Sequence, residues 1–171
     1  MSQVENTTTR VNELMDMIDL GPTQSIQFLF AKLQMAQSQI CKERAETYMS
    51  MIEDIQAEQK LTAQMIEDAR KLQNEAKTNN KATAMPQTKI DFFNDRGHSF
   101  DRTGGYTTHN ADEWDYNIKT LTNYQEQIGN NTQTLMIYLQ DFIGQYNSYQ
   151  EGAMSAVSSA TQTLRSIARG Q

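Results

Sequence analysis

With 171 residues and a net charge of −6, from 15 basic and 21 acidic side chains, the chain is sized for one domain and lacks the basic excess that neutralising phosphates requires, so no nucleic-acid partner is expected. Only 37% of the residues are hydrophobic, which suits long helices that bury a narrow stripe better than a thick core. No window approaches the roughly 18 consecutive apolar residues of a transmembrane segment, and the opening MSQVENTTTR lacks the basic and apolar regions of a Sec signal.

Residues 1–10 are polar, with Thr7, Thr8 and Thr9 in a row, and are expected to form a disordered N-terminus. Val11, Leu14, Met15 and Ile18 then carry the 3-4 spacing of a short amphipathic helix over 11–20. Gly21-Pro22 should end it, and Thr23 can cap the next helix. From 23 to 79 the pattern predicts one long helix. Its first seam is Ile26, Leu29, Leu33, Ala36 and Ile40, and its second is Tyr48, Met51, Ile55, Met65, Ala69, Leu72 and Ala76. The eight-residue step from Ile40 to Tyr48 implies a heptad slip near Arg44, and Glu58 and Thr62 are polar seam positions.

Residues 80–112 break the pattern and read as an irregular surface segment. Its apolar points, Ile90, Phe92, Phe93 and Phe100, are expected to fold back onto the helices. Asp112 can cap a last long coiled-coil helix over 113–168. Its heptad, the expected assembly seam, runs through Trp114, Ile118, Leu121, Ile128, Leu135, Leu139, Phe142, Tyr146, Tyr149 and Ile167. The two long helices are nearly equal, each on the order of 80 Å at 1.5 Å per residue. The expected fold class is therefore all-α: two long helices in an antiparallel coiled-coil hairpin, with a short N-terminal helix and a small irregular middle segment.

The last helix is rich in Asn, Gln, Ser and Thr, and Met136, Ile137 and Ile143 lie off its seam. In a lone hairpin they would face water, so they point to further helices from other subunits. Nothing in the sequence suggests an enzyme. There is no phosphate loop, no CxxC and no HExxH. Cys41, the one cysteine, reads as an apolar filler, far in sequence from His98 and His109. Those histidines with Asp95, Asp101 and Asp112 fit no tight ligand spacing, and Glu53-Asp54 and Glu67-Asp68 belong to charged helix faces, so neither metal nor cofactor is expected. Tyr138, Tyr146 and Tyr149 read as packing, and the many methionines as flexible core filling or an adaptable partner surface.

Three stretches carry a resemblance. VNELMDMIDLGPTQSIQFLFAKLQMAQSQ, KIDFFNDRGHSFDRTGG and the Asn/Gln/Ser-rich end from NYQEQIGNN to SIARGQ together resemble the EspA-type filament proteins of bacterial type III secretion systems, and more distantly the needle-tip proteins. The resemblance implies a secreted subunit that leaves unfolded through the needle under an uncleaved signal in residues 1 to about 20. It also implies a dedicated secretion chaperone before export, contact with needle and translocator proteins, and a homo-polymeric extracellular appendage. The alternatives are a needle-tip protein and a cytosolic coiled-coil adaptor or chaperone, the latter disfavoured by the nearly uncharged last helix. A WXG-type secreted hairpin fits poorly, since Asp115-Tyr116 follow Trp114.

Overall fold

Ser25 fixes the start of the first long helix. Its Oγ accepts the Gln27 N–H at 3.3 Å and its carbonyl accepts the Leu29 N–H, as an N-cap does. The computed structural model describes residues 2–19, 25–104 and 106–170, with side chains from Thr8 onward. The expected Gly21-Pro22 break and the Thr23 cap lie outside the described residues. The helix begun at Ser25, α2, spans Ile26–Asn79. It ends where Asn80 turns left-handed, at φ 46°, and the Lys81 N–H reaches back to the Ala76 carbonyl at 3.1 Å. Asparagine tolerates that conformation better than most residues.

The second long helix, α4, spans Ala111–Arg169 and packs antiparallel to α2, which makes the molecule an all-α helical hairpin. Asn110, not Asp112, caps α4: its Oδ1 accepts the N–H groups of Asp112 and Glu113, and the Glu113 carboxylate accepts the Asn110 N–H at 2.8 Å. This is a reciprocal capping box.

At the N-terminus, α1 spans Ser2–Met17, so helix replaces the disordered stretch expected for residues 1–10. Arg10 donates to the Glu43 carboxylate of α2 at 2.9 Å, which pins α1 to the long helix. Within 80–112, expected to be irregular, lie α3 (Gln87–Asp95) and a short antiparallel ribbon, β1 (Thr83–Ala84) with β2 (Thr108–His109), pairing Thr83 with His109 and Ala84 with Thr108. Pro86 precedes α3, and Gly97 ends it at φ 67°, letting the His98 N–H close onto the Phe93 carbonyl at 2.8 Å. The Asn-Asp-Arg-Gly run is thus a helix stop whose glycine supplies the left-handed residue.

The chain divides into two compact units, and α2 and α4 contribute to both. The first comprises Met1–Met51 and Leu135–Gln171. The second comprises Ile52–Thr134.

The second unit has a closed core. Phe92, Phe93 and Phe100 fold onto Ile66, Ala69, Trp114, Ile118 and Leu121, all buried. The Arg96 guanidinium lies 3.8 Å above the Phe92 ring and is bidentate to Glu58, which also accepts from Tyr124. The Arg96 hydrogen bonds, and then that of Tyr124, hold the Glu58 carboxyl below its usual range. Glu58, a polar position in the expected seam, therefore anchors α3 to both long helices.

Lys89 is 2% exposed, and its ammonium donates to the Met65 carbonyl at 2.7 Å. Burial lowers its pKa to about 8, opposed by Asp68. Between pH 8 and about 10.4 the unfolded chain holds a proton that the folded chain releases, so stability rises with pH across that window. Lys89→Met keeps the stem and removes the charge. It should stabilise the protein by about 2 kcal/mol at pH 7, after allowance for solvent screening, and remove this contribution to the alkaline rise. Urea denaturation of both proteins at pH 7 and pH 10 checks the sign, and a less stable variant at pH 7 refutes it.

Candidate assembly surface

The first unit is built differently. On α2 the residues that meet α4 are small or polar: Ala31, Ser38, Cys41 and Ala45 are buried and Gln34 is half-buried. Opposite them Ala153 and Ala160 are buried on α4. Gln150 donates to Ser38 at 2.7 Å, the Cys41 thiol reaches Gln145 at 3.7 Å, and Gly152 leaves room for the Gln34 side chain. Burial also raises the Cys41 pKa, so the thiol stays protonated and acts as a small filler. The larger groups are Tyr48, stacked on Phe142 with ring centres 5.5 Å apart, and Tyr138 beside it at 5.7 Å. Such a seam brings the helices close but buries little apolar area per turn.

The heptad on α2 therefore differs from the expected one. Ala31, Ser38, Ala45, Ile52 and Ile66 form one buried set, and Cys41, Thr62, Ala69 and Ala76 the other, with no slip near Arg44. Tyr48 and Ile55 belong to this register and are half-buried. Ile26, Leu29, Leu33, Ala36 and Ile40 form a separate apolar stripe about 130° around the helix, and of these Ala36 is fully buried. Ile26 is 82% and Leu29 57% exposed, while Leu33 and Ile40 are half-buried. Met51 is exposed, one residue out of register from Ile52. Met65 and Leu72 are likewise shifted by one and pack on the edge of the second unit's core.

On α4 the residues expected to form the assembly seam face into the hairpin to different degrees. Trp114, Ile118, Leu121 and Ile128 are buried in the second unit, and Leu135, Leu139, Phe142, Tyr146 and Tyr149 are half-buried in the first. Ile167 is the exception, at 58% exposed. The pairing of Ser38 with Gln150 sets Ile26 level with Gln162, so α4 runs past the start of α2 and Leu164 and Ile167 are left outside the seam.

Among the described residues, fifteen large hydrophobic side chains are exposed, and thirteen of them lie in the first unit; the two in the second are Tyr106 and Tyr116. On α4, Met136, Ile143 and Met154 make a line down one flank, and Ile137, 65% exposed, lies on the back. Off-seam apolar residues are the sequence's signal for this surface. The exposed α2 stripe mimics the intramolecular seam in sequence because it is more apolar than the real one.

Among the described residues no cluster of three or more His, Cys, Asp or Glu is placed to hold a metal ion, and no helix is long and apolar enough to cross a membrane. Comparison with protein-family models, curated proteins and solved structures finds no match.

Proposed function

We propose that the chain is a non-enzymatic structural subunit whose first unit is completed by neighbouring copies of itself. The concentration of exposed apolar side chains there, beside a seam of small and polar residues, carries this reading. Large apolar side chains left in water at this density favour association, whereas the second unit closes its own core and needs no partner to do so. Following the resemblance of its sequence, the assembly is a secreted type III secretion filament. It extends the needle and conducts translocators and effectors toward a host cell, and a dedicated chaperone covers the apolar stripes before export. The subunit then works as an extracellular appendage of a bacterium.

Negative-stain electron microscopy of the purified protein across a concentration series tests this. Uniform tubes whose length grows with concentration are the expected result. Small discrete particles at every concentration would overturn the polymer and favour a needle-tip protein, and a persistent monomer would leave a cytosolic adaptor as the better reading.

A further inference from the structure

The start of α4 carries an arrangement that assembly does not use. His109, on β2, is completely buried, and neither ring nitrogen has a hydrogen-bond partner among the described residues. Its ring stands edge-on to Trp114 at 5.3 Å and to Phe100 at 6.1 Å between centres. Two acidic groups face it. Glu113, from the first turn of α4, has a carboxylate oxygen 3.9 Å from Nδ1, and Asp101 acts on it from the preceding loop.

Both acids already hold the fold. The oxygen of Glu113 nearest His109 accepts the Asn110 N–H that completes the α4 capping box, and its other oxygen lies against Gly104, where a β-carbon would collide with it. Asp101 is tied to Thr103, and its own N–H donates to the buried Asn117 at 2.7 Å. The loop and ribbon are thus fastened to α4 through groups that surround one neutral imidazole.

We propose that His109 is the pin of an acid-released latch: a proton on its imidazole draws Glu113 away from the Asn110 N–H and frees the β1–β2 ribbon from the start of α4. Burial is the dominant influence on this group and holds its pKa below the ordinary value, with Glu113 and Asp101 opposing. The opened segment binds a proton that the closed one excludes, so closure is complete above about pH 6.5 and weakens as the pH falls through it. The latch does not rest on the assembly reading.

Hydrogen exchange on the full chain at pH 7 and pH 5.5, corrected for the intrinsic pH dependence of exchange, reads this directly. The amides around the ribbon, including the Met85 N–H bonded to the Thr107 carbonyl, should gain up to about tenfold in opening per pH unit below 6.5, the limit for one proton. Amides of α4 beyond Ile128 should not change. His109→Phe should abolish the response, and His98→Gln should keep it. Unchanged protection in the wild type, or an equal response in His109→Phe, overturns the latch. Should His109→Phe fail to fold by circular dichroism, the ring protons of wild-type His109 decide. A midpoint below the ordinary value that coincides with opening supports the pin, and titration at or above that value with no opening refutes it.

Discussion

Trp114→Ala should destabilise the second unit by about 3–5 kcal/mol, the usual cost of emptying a large aromatic site in a core. Trp114 is fully buried between the ribbon and the two long helices, and its indole N–H donates to the Thr83 hydroxyl at 2.7 Å. The Thr83 hydroxyl in turn reaches the Leu72 carbonyl at 3.0 Å, so one side chain links β1, α2 and α4. Truncation opens a cavity that Phe93 and Leu121, themselves held by neighbours, fill only in part. Trp114→Phe should cost less, about 1–2 kcal/mol, through the lost hydrogen bond and smaller ring. Urea denaturation followed by far-ultraviolet circular dichroism measures both. A Trp114→Ala protein within about 1 kcal/mol of wild type would mean that the core is not organised around this residue.

Two positions two residues apart on α4 would separate folding from the proposed assembly. Leu139 is half-buried in the seam with α2, whereas Ile137 lies open on the back. Leu139→Asp puts a carboxylate into the seam and should cost about 2–4 kcal/mol, with loss of helix packing in the monomer. Ile137→Asp combined with Ile143→Asp touches only exposed apolar groups. It should change monomer stability by no more than about 1 kcal/mol while abolishing the proposed polymer. Sedimentation velocity with parallel thermal melts gives both quantities. Tubes from the double variant would remove these residues from the interface, and an equally large loss of monomer stability would mean that they pack within the hairpin.

The hairpin is legible in the sequence because its signals are local and strong: few helix breakers, a heptad held from Trp114 to Ala160, and a polar, glycine-containing break between two long periodic stretches. The partner face on α2 is not. Gln34, Ser38, Gln59, Thr62 and Gln73 occupy its register, and a search for apolar periodicity passes over them to Ile26, Leu29 and Leu33. The α4 cap lies two residues before the expected one because Asn110 and Asp112 are both good capping types, and only the reach of Glu113 back to Asn110 distinguishes them. The segment 80–112 reads as irregular since α3 is only nine residues long and the ribbon two residues per strand, lengths below what periodicity resolves. The exposed surface of the first unit is legible in part, through Met136, Ile137 and Ile143. Its α2 half is hidden because its apolar stripe imitates an intramolecular seam.

The seam of alanine, serine and glutamine also has a mechanical meaning. Thr8 and Arg169 both belong to the first unit, so tension applied between them loads that seam. A turn of alanine, serine and glutamine peeled apart there gives up a small apolar area and a side-chain hydrogen bond such as Gln150 to Ser38. Resistance should stay low along the small and polar turns and rise where Tyr48 stacks on Phe142. Drawn apart, the seam of the first unit behaves as a zipper with one stiff tooth at Tyr48.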